Sequence, residues 1–157
     1  MARFDTSGLD DVMREMTRMG EQTGDVAQAM IQTGAYYVRE AWRRAADEMD
    51  HRVTGDMIES IGYARYPSSF GEALYIDIYP QGKDRKGVRN AEKAFILHYG
   101  SSKLQGSRWV DLADEYSEET AIPAMRQVWE KYIETGTVPE APTVGGNNGI
   151  LGMLSNM

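Results

Sequence analysis

The chain has 157 residues, 41% of them apolar, which is enough to bury the core of one domain. Its 24 acidic and 17 basic residues leave a net charge of -7, which argues against a general nucleic-acid coat, because phosphate binding needs a basic surface. It has no cysteine, so a disulfide framework, a thiolate metal site and a thiol nucleophile are all excluded. No apolar run approaches the roughly 18 residues of a membrane span, and the first residues lack the apolar core of a signal peptide. The expectation is a soluble protein made in the cytoplasm, with no membrane partner.

Taken in chain order, Arg3-Phe4-Asp5 reads as a short extended segment, and Thr6 or Ser7 can cap a first helix. Leu9, Val12, Met13, Met16 and Met19 share one face of that helix. The glycines at 20 and 24 break the pattern. Asp25 then caps a longer helix that frays near Asp50. Its stripe is Val26, Met30, Tyr37, Val38, Ala41, Ala45 and Met49, with Arg39, Arg43 and Asp47 off it. The methionines of both helices read as gap-filling core.

Thr54 or Asp56 can cap one short turn in which Met57, Ile58 and Ile61 point inward, before a strand over residues 62–66. Pro67-Ser68-Ser69-Phe70-Gly71 has turn composition, so the strand that begins near Glu72 is expected to return antiparallel. Along it Leu74, Ile76 and Ile78 face one way and Tyr75, Asp77 and Tyr79 the other, until Pro80 ends it.

Residues 81–90 carry glycines at 82 and 87 and the charges Lys83, Asp84, Arg85, Lys86 and Arg89. This composition predicts a flexible, projecting finger at an interface, whose basic side chains pair with acidic groups of a neighbour or, as a second choice, make transient contact with DNA. Residues 95–99 fit a strand or a helix, and the spacing of Ala91, Ala94, Phe95 and His98 favours the helix.

From Trp109 to Ile133, Val110, Ala113, Tyr116, Ala121, Ala124, Met125, Val128 and Tyr132 recur at helical spacing. Pro123 is expected to kink or split this helix near Thr120, and Gly136 to stop it. Trp129 and Tyr132 are expected to anchor it on the core, with Trp109 fixing its entry. Residues 137–157, rich in proline and glycine, read as an extended tail. Its apolar tip, Ile150, Leu151, Met153 and Leu154, is expected to strap into a groove of a neighbouring subunit. The fold class is α+β. A small antiparallel sheet packs with two N-terminal helices and one long C-terminal helix in a domain over residues 1–136.

Catalytic motifs are sparse. Asp84-Arg85-Lys86 fits the D-x-K element of metal-dependent nucleases, with Asp77 or Asp56 as a second carboxylate, but such elements lie on rigid strands and this one lies in a glycine-bounded loop. His51, flanked by Asp47, Glu48 and Asp50, reads as a charged helix end and not as a metal site. No G-x-S-x-G elbow and no phosphate-binding glycine loop is present. Neither a catalytic residue, a metal nor a cofactor is expected. Asp111, Asp114, Glu115, Glu118 and Glu119 read as a solvated helix face.

Four stretches carry a family resemblance. Thr54-Gly55-Asp56-Met57-Ile58-Glu59-Ser60-Ile61 resembles a T-G-x-L-x-x-S-I signature. Tyr79-Pro80-Gln81-Gly82 through Gly87-Val88-Arg89-Asn90, and then Phe95-Ile96-Leu97-His98-Tyr99-Gly100, resemble the central signature of the head-tail joining proteins of long-tailed bacteriophages, also called neck proteins or minor tail components. The likeness continues through Trp109-Val110-Asp111 and spans roughly residues 24 to 134. His98 departs from the pattern, which has asparagine or glutamate before Tyr-Gly. The resemblance implies a small α+β structural protein of the virion without enzymatic activity. It implies a homo-oligomeric ring, a hexamer being favoured, between the portal and stopper and the tail tube. An adjacent role, as a subunit of the tail-terminator ring, fits the same residues, and a metal-dependent nuclease is the alternative from another class.

Overall fold

A computed structural model describes residues 11, 14, 17, 18, 20–71 and 73–143. Its frame is a long helix, α1 (Thr23–Glu48), lying antiparallel against a second one, α4 (Trp109–Thr135). At one end the Tyr132 hydroxyl donates to Gln22 Oε1 at 3.2 Å and Arg18 Nη1 donates to the Gly136 carbonyl at 2.9 Å. At the other, Trp42 and Trp109 meet edge to face with ring centroids 5.4 Å apart. The α1 face is built from Ala29, Gly34, Ala35, Ala41, Ala45 and Ala46, all buried, and small residues let two helix backbones approach closely. A Cβ on Gly34 would lie 2.6 Å from Met125 Sδ.

The start of α1 differs from expectation. Gly20 and Glu21 are helical, only Gln22 is a turn residue, and Gln22 rather than Asp25 is the N-cap. Glycine disfavours a helix by about 1 kcal/mol relative to alanine, and the contacts of Arg18 and Gln22 with the end of α4 offset that preference. The extended segment Arg3-Phe4-Asp5 and the apolar face Leu9, Val12, Met13, Met16 and Met19 lie outside the described residues. Arg39 does not lie off the buried stripe: it is 6% exposed. Its guanidinium sits 5.2 Å from the Tyr36 ring centroid and 5.7 Å from that of Tyr63, and its Nη2 bonds Glu40 Oε1 at 2.9 Å. Ring faces and one carboxylate replace its hydration.

After α1 comes the single-turn helix α2 (Asp56–Glu59), entered through Gly55 at φ +89°, with Asp56 N–H on Thr54 Oγ1 at 3.3 Å. Met57, Ile58 and Ile61 join Ala45, Ala46, Ala94, Trp109 and Ala113 in the core, as the sequence pattern predicts. Next comes an interrupted hairpin. Its root pairs β1 (Ile61–Tyr63) with β4 (Ile78–Pro80), and its outer part pairs β2 (Ser68–Phe70) with β3 (Ala73–Tyr75), both antiparallel. The expected turn over residues 67–71 is therefore wrong, because Ser68–Phe70 is strand and the reversal lies further on, at Gly71 with φ +62°. Pro67 explains the break, since it has no N–H to give the ladder. Leu74, Ile76 and Ile78 are half-buried while Tyr75, Asp77 and Tyr79 are exposed, so the alternation holds.

Residues 90–99 form a helix, α3 (Asn90–Tyr99), followed by a third small pair, β5 (Gly100–Ser101) with β6 (Leu104–Gln105). The architecture is α+β. Helix α4 runs through Pro123 without being split there. Ser117 Oγ and Thr120 Oγ1 back-bond to the Ala113 and Tyr116 carbonyls, each at 2.7 Å, and Ala121 and Val128 stay buried on either side of the proline. Gly136, at φ +67°, caps the helix with its N–H on the Tyr132 carbonyl. Trp109 and Tyr132 are buried, but Trp129 is 43% exposed and is not a core anchor. It lies about 100° around the helix from buried Val128. The first residues of the tail lie against the domain: Pro142 is buried, and residues 138–143 line a cleft with Asp25, Gln28 and Gln32 of α1 and Tyr63 of β1. Prolines suit this packing because they leave no N–H to satisfy. Among the described residues, no helix is long and apolar enough to cross a membrane.

Candidate functional site

The loop over residues 81–90 leaves the end of β4 and is closed by hydrogen bonds of its own. Lys83 and Arg89 form a β-bridge across its base, Asn90 N–H bonds the Gly82 carbonyl at 3.0 Å, and buried Asn90 donates Nδ2 to the Gln81 carbonyl at 2.9 Å. The tip is wound around Asp84. Its Oδ1 accepts Lys86 N–H at 2.9 Å and Val88 N–H at 2.8 Å, and its Oδ2 pairs with Lys93 of α3. Lys93 and these loop amides hold the Asp84 carboxyl below its ordinary pKa. Glycine is required at 87, where φ is +83°.

A second clamp ties the loop to α2. Arg85 Nε and Nη2 reach Asp56 Oδ2 and Oδ1 at 2.9 and 2.7 Å, and Arg85 N–H adds a third bond to Oδ2 at 3.1 Å. These bonds hold Asp56 far below the usual carboxylate range. Gln81 N–H also bonds the Ser60 carbonyl at 3.0 Å. Of the basic side chains predicted to meet a neighbour, Arg85 is thus spent inside the chain. Lys83, Lys86 and Arg89 are exposed and make no side-chain hydrogen bond or ion pair with another described residue.

The D-x-K pattern gains no second carboxylate from Asp56. Asp84 is committed to Lys93 and its own loop, and Asp56 to Arg85. Among the described residues, no three His, Asp or Glu side chains gather where they could hold a metal ion.

The two histidines both tie elements together. His98, 6% exposed, accepts Val110 N–H on Nδ1 at 3.2 Å, satisfying an amide in the first turn of α4, where helices leave donors unpaired. His51 Nε2 meets Ser107 Oγ at 2.7 Å, and the Ser107 hydroxyl donates to the Leu97 carbonyl at 3.0 Å. Burial lowers the His51 pKa, with Asp50 opposing. Sequence reasoning missed both roles, which depend on contacts between elements that periodicity does not reveal.

A shallow groove of about 290 Å³ opens where α1, α4 and the hairpin meet. Ile31, Val38, Ile76, Ile78, Ile122 and Met125 line it, and among the described residues Ser117 and Glu118 are its polar neighbours. The tail tip residues Ile150, Leu151, Met153 and Leu154, predicted to contact a neighbour, lie outside the described residues. No protein-family model, curated protein or solved structure matches the chain.

Proposed function

We propose that this chain is a structural subunit of the neck of a long-tailed phage, assembling as a ring, with six copies favoured, between the head-completion proteins and the tail. Its place is the virion and its task is mechanical joining, with no catalytic step. One observation carries the reading: the four stretches that resemble the neck family converge. Asp56 of the first is clamped by Arg85 of the second, whose end opens α3, and His98 of the third bonds Val110 of the fourth. Motifs scattered over the chain thereby become one contiguous unit.

His98 fits this reading despite its departure from the family pattern. It acts as a hydrogen-bond acceptor for Val110 N–H, and the side-chain oxygen of asparagine or glutamate accepts the same bond. The exposed Lys83, Lys86 and Arg89 provide a basic edge for an acidic neighbour, on a protein that is acidic overall.

Mass photometry and negative-stain imaging of the purified chain test the proposal. The expected result is a closed ring, or a monomer that adds to isolated tails. Divalent-dependent cleavage of duplex DNA that is lost in Asp84→Asn would overturn it in favour of the nuclease reading.

A further inference from the structure

The apolar groove between α1, α4 and the hairpin has a candidate occupant in the chain itself. We propose that the segment over residues 150–154 seats in this groove on its own subunit, held there by Ile150, Leu151, Met153 and Leu154. This inference is independent of the neck reading.

Reach is the first argument. The described chain ends at Thr143, beside Gln28 and Gln32 of α1. Gln32 adjoins Ile31, which lines the groove, and Tyr63 of the cleft pairs across the strands with Ile78 of the groove. Cleft and groove therefore flank the same stretch of α1 and the same rung of the hairpin. Six residues lie between Thr143 and Ile150, and the seven extended Cα-to-Cα steps from one to the other span up to about 25 Å. A helix is only about 10–12 Å across.

Chemistry is the second argument. Residues 144–157 include no charged side chain, and Ile150, Leu151, Met153 and Leu154 follow the i, i+1, i+3, i+4 spacing of one helical face. The groove offers six large apolar side chains and one charged neighbour, Glu118. With Glu118 the one charged side chain named in the lining, an uncharged apolar tip and this groove gain by burying apolar surface and have few polar side chains to desolvate. Tethering is the third. A short linker presents its end at roughly millimolar effective concentration, far above the concentration of free subunits in dilute solution, so a weak apolar contact closes within one chain before it closes between chains.

The absence of native cysteine makes the test direct. In the full chain, Leu151→Cys is combined with Ile122→Cys at the half-exposed groove rim, or with Val53→Cys, which is 95% exposed beyond the far end of α1. Under diamide, the first pair is expected to close within monomers at least about tenfold faster than the second, as expected for a difference in effective concentration. Equal rates, or dimers as the main product, overturn the proposal. A second readout uses Ile122→Cys alone, labelled by a thiol reagent. Adding Leu151→Asp and Leu154→Asp is expected to speed labelling several-fold, and unchanged labelling counts against the docked segment.

Discussion

The Arg85 guanidinium grips the Asp56 carboxylate with two side-chain bonds of 2.9 and 2.7 Å across 29 residues of sequence. The Arg85 side chain is 64% exposed and that of Asp56 19%, so water at the arginine screens the pair, which orders the loop more than it stabilises the fold. Arg85→Ala is expected to leave the melting temperature nearly unchanged while the amides of Arg85 and Val88 exchange faster. Asp56 should then titrate close to an ordinary carboxylate, as read by NMR. Arg85→Lys is expected to restore only part of the order, because an ammonium cannot fork across both oxygens.

His51 sets a pH window. Burial lowers its folded-state pKa from the ordinary 6.5, so the unfolded chain binds the proton more readily. Its contribution is complete above about pH 6.5 and is lost as pH falls from there through the lowered folded value. Asp47, Glu48, Asp56 and Asp84, all lowered by their partners, add losses only further into acid, below the ordinary values of 3.8 for Asp and 4.5 for Glu. Urea denaturation between pH 5 and 8 should show the first slope, and His51→Asn should flatten it.

The tryptophans separate core from surface. Trp109 is fully buried, edge-on to Trp42, with Nε1–H on the Ala94 carbonyl at 3.2 Å. Trp109→Ala is expected to cost about 3–5 kcal/mol. Trp129, 43% exposed and set against the Tyr132 ring with centroids 6.0 Å apart, should cost less, about 1–2 kcal/mol. Chemical denaturation of the two variants distinguishes them, and equal losses would contradict this placement.

Gly106 touches backbone across the β5–β6 turn. A Cβ there would lie 2.4 Å from the His98 carbonyl oxygen, and at Gly100, with φ +89°, it would lie 2.5 Å from Gly106 N. Backbone cannot swing aside as a side chain can, so Gly106→Ala is expected at or above the top of the about 1–3 kcal/mol range for overpacking. Gly34→Ala should be milder, since the obstructing atom belongs to the flexible Met125 side chain. Thermal melts of the two variants check the order.

The legible parts of the sequence were those governed by local period. The inward set Met57, Ile58 and Ile61, the alternation from Leu74 to Tyr79, the helix around Phe95 and the stop at Gly136 all follow from spacing and backbone preference. The misreadings involve partners distant in sequence. Arg39 looked like a surface charge because the Tyr63 ring that shelters it lies on another element. In the loop the glycines and charges were visible in the sequence, while the bonds from Asp84 to Lys93 and from Arg85 to Asp56 were not. Trp129 and Tyr132 sit on adjacent parts of one helix face, and only the packing against α1 decides which is covered.

The interruption of the hairpin has a consequence for parity. Four residues, 64–67, separate β1 from β2, whereas two, 76 and 77, separate β3 from β4. The surplus is even, so odd-numbered residues of the first limb stay opposite even-numbered residues of the second in both ladders: Ile61 faces Pro80 and Ser69 faces Leu74. A surplus of one would turn the outer arm inside out, because side chains alternate with every residue. At this joint the chain can lengthen or shorten by pairs of residues and keep each face of the arm intact; a single insertion would trade its inner side chains for its outer ones.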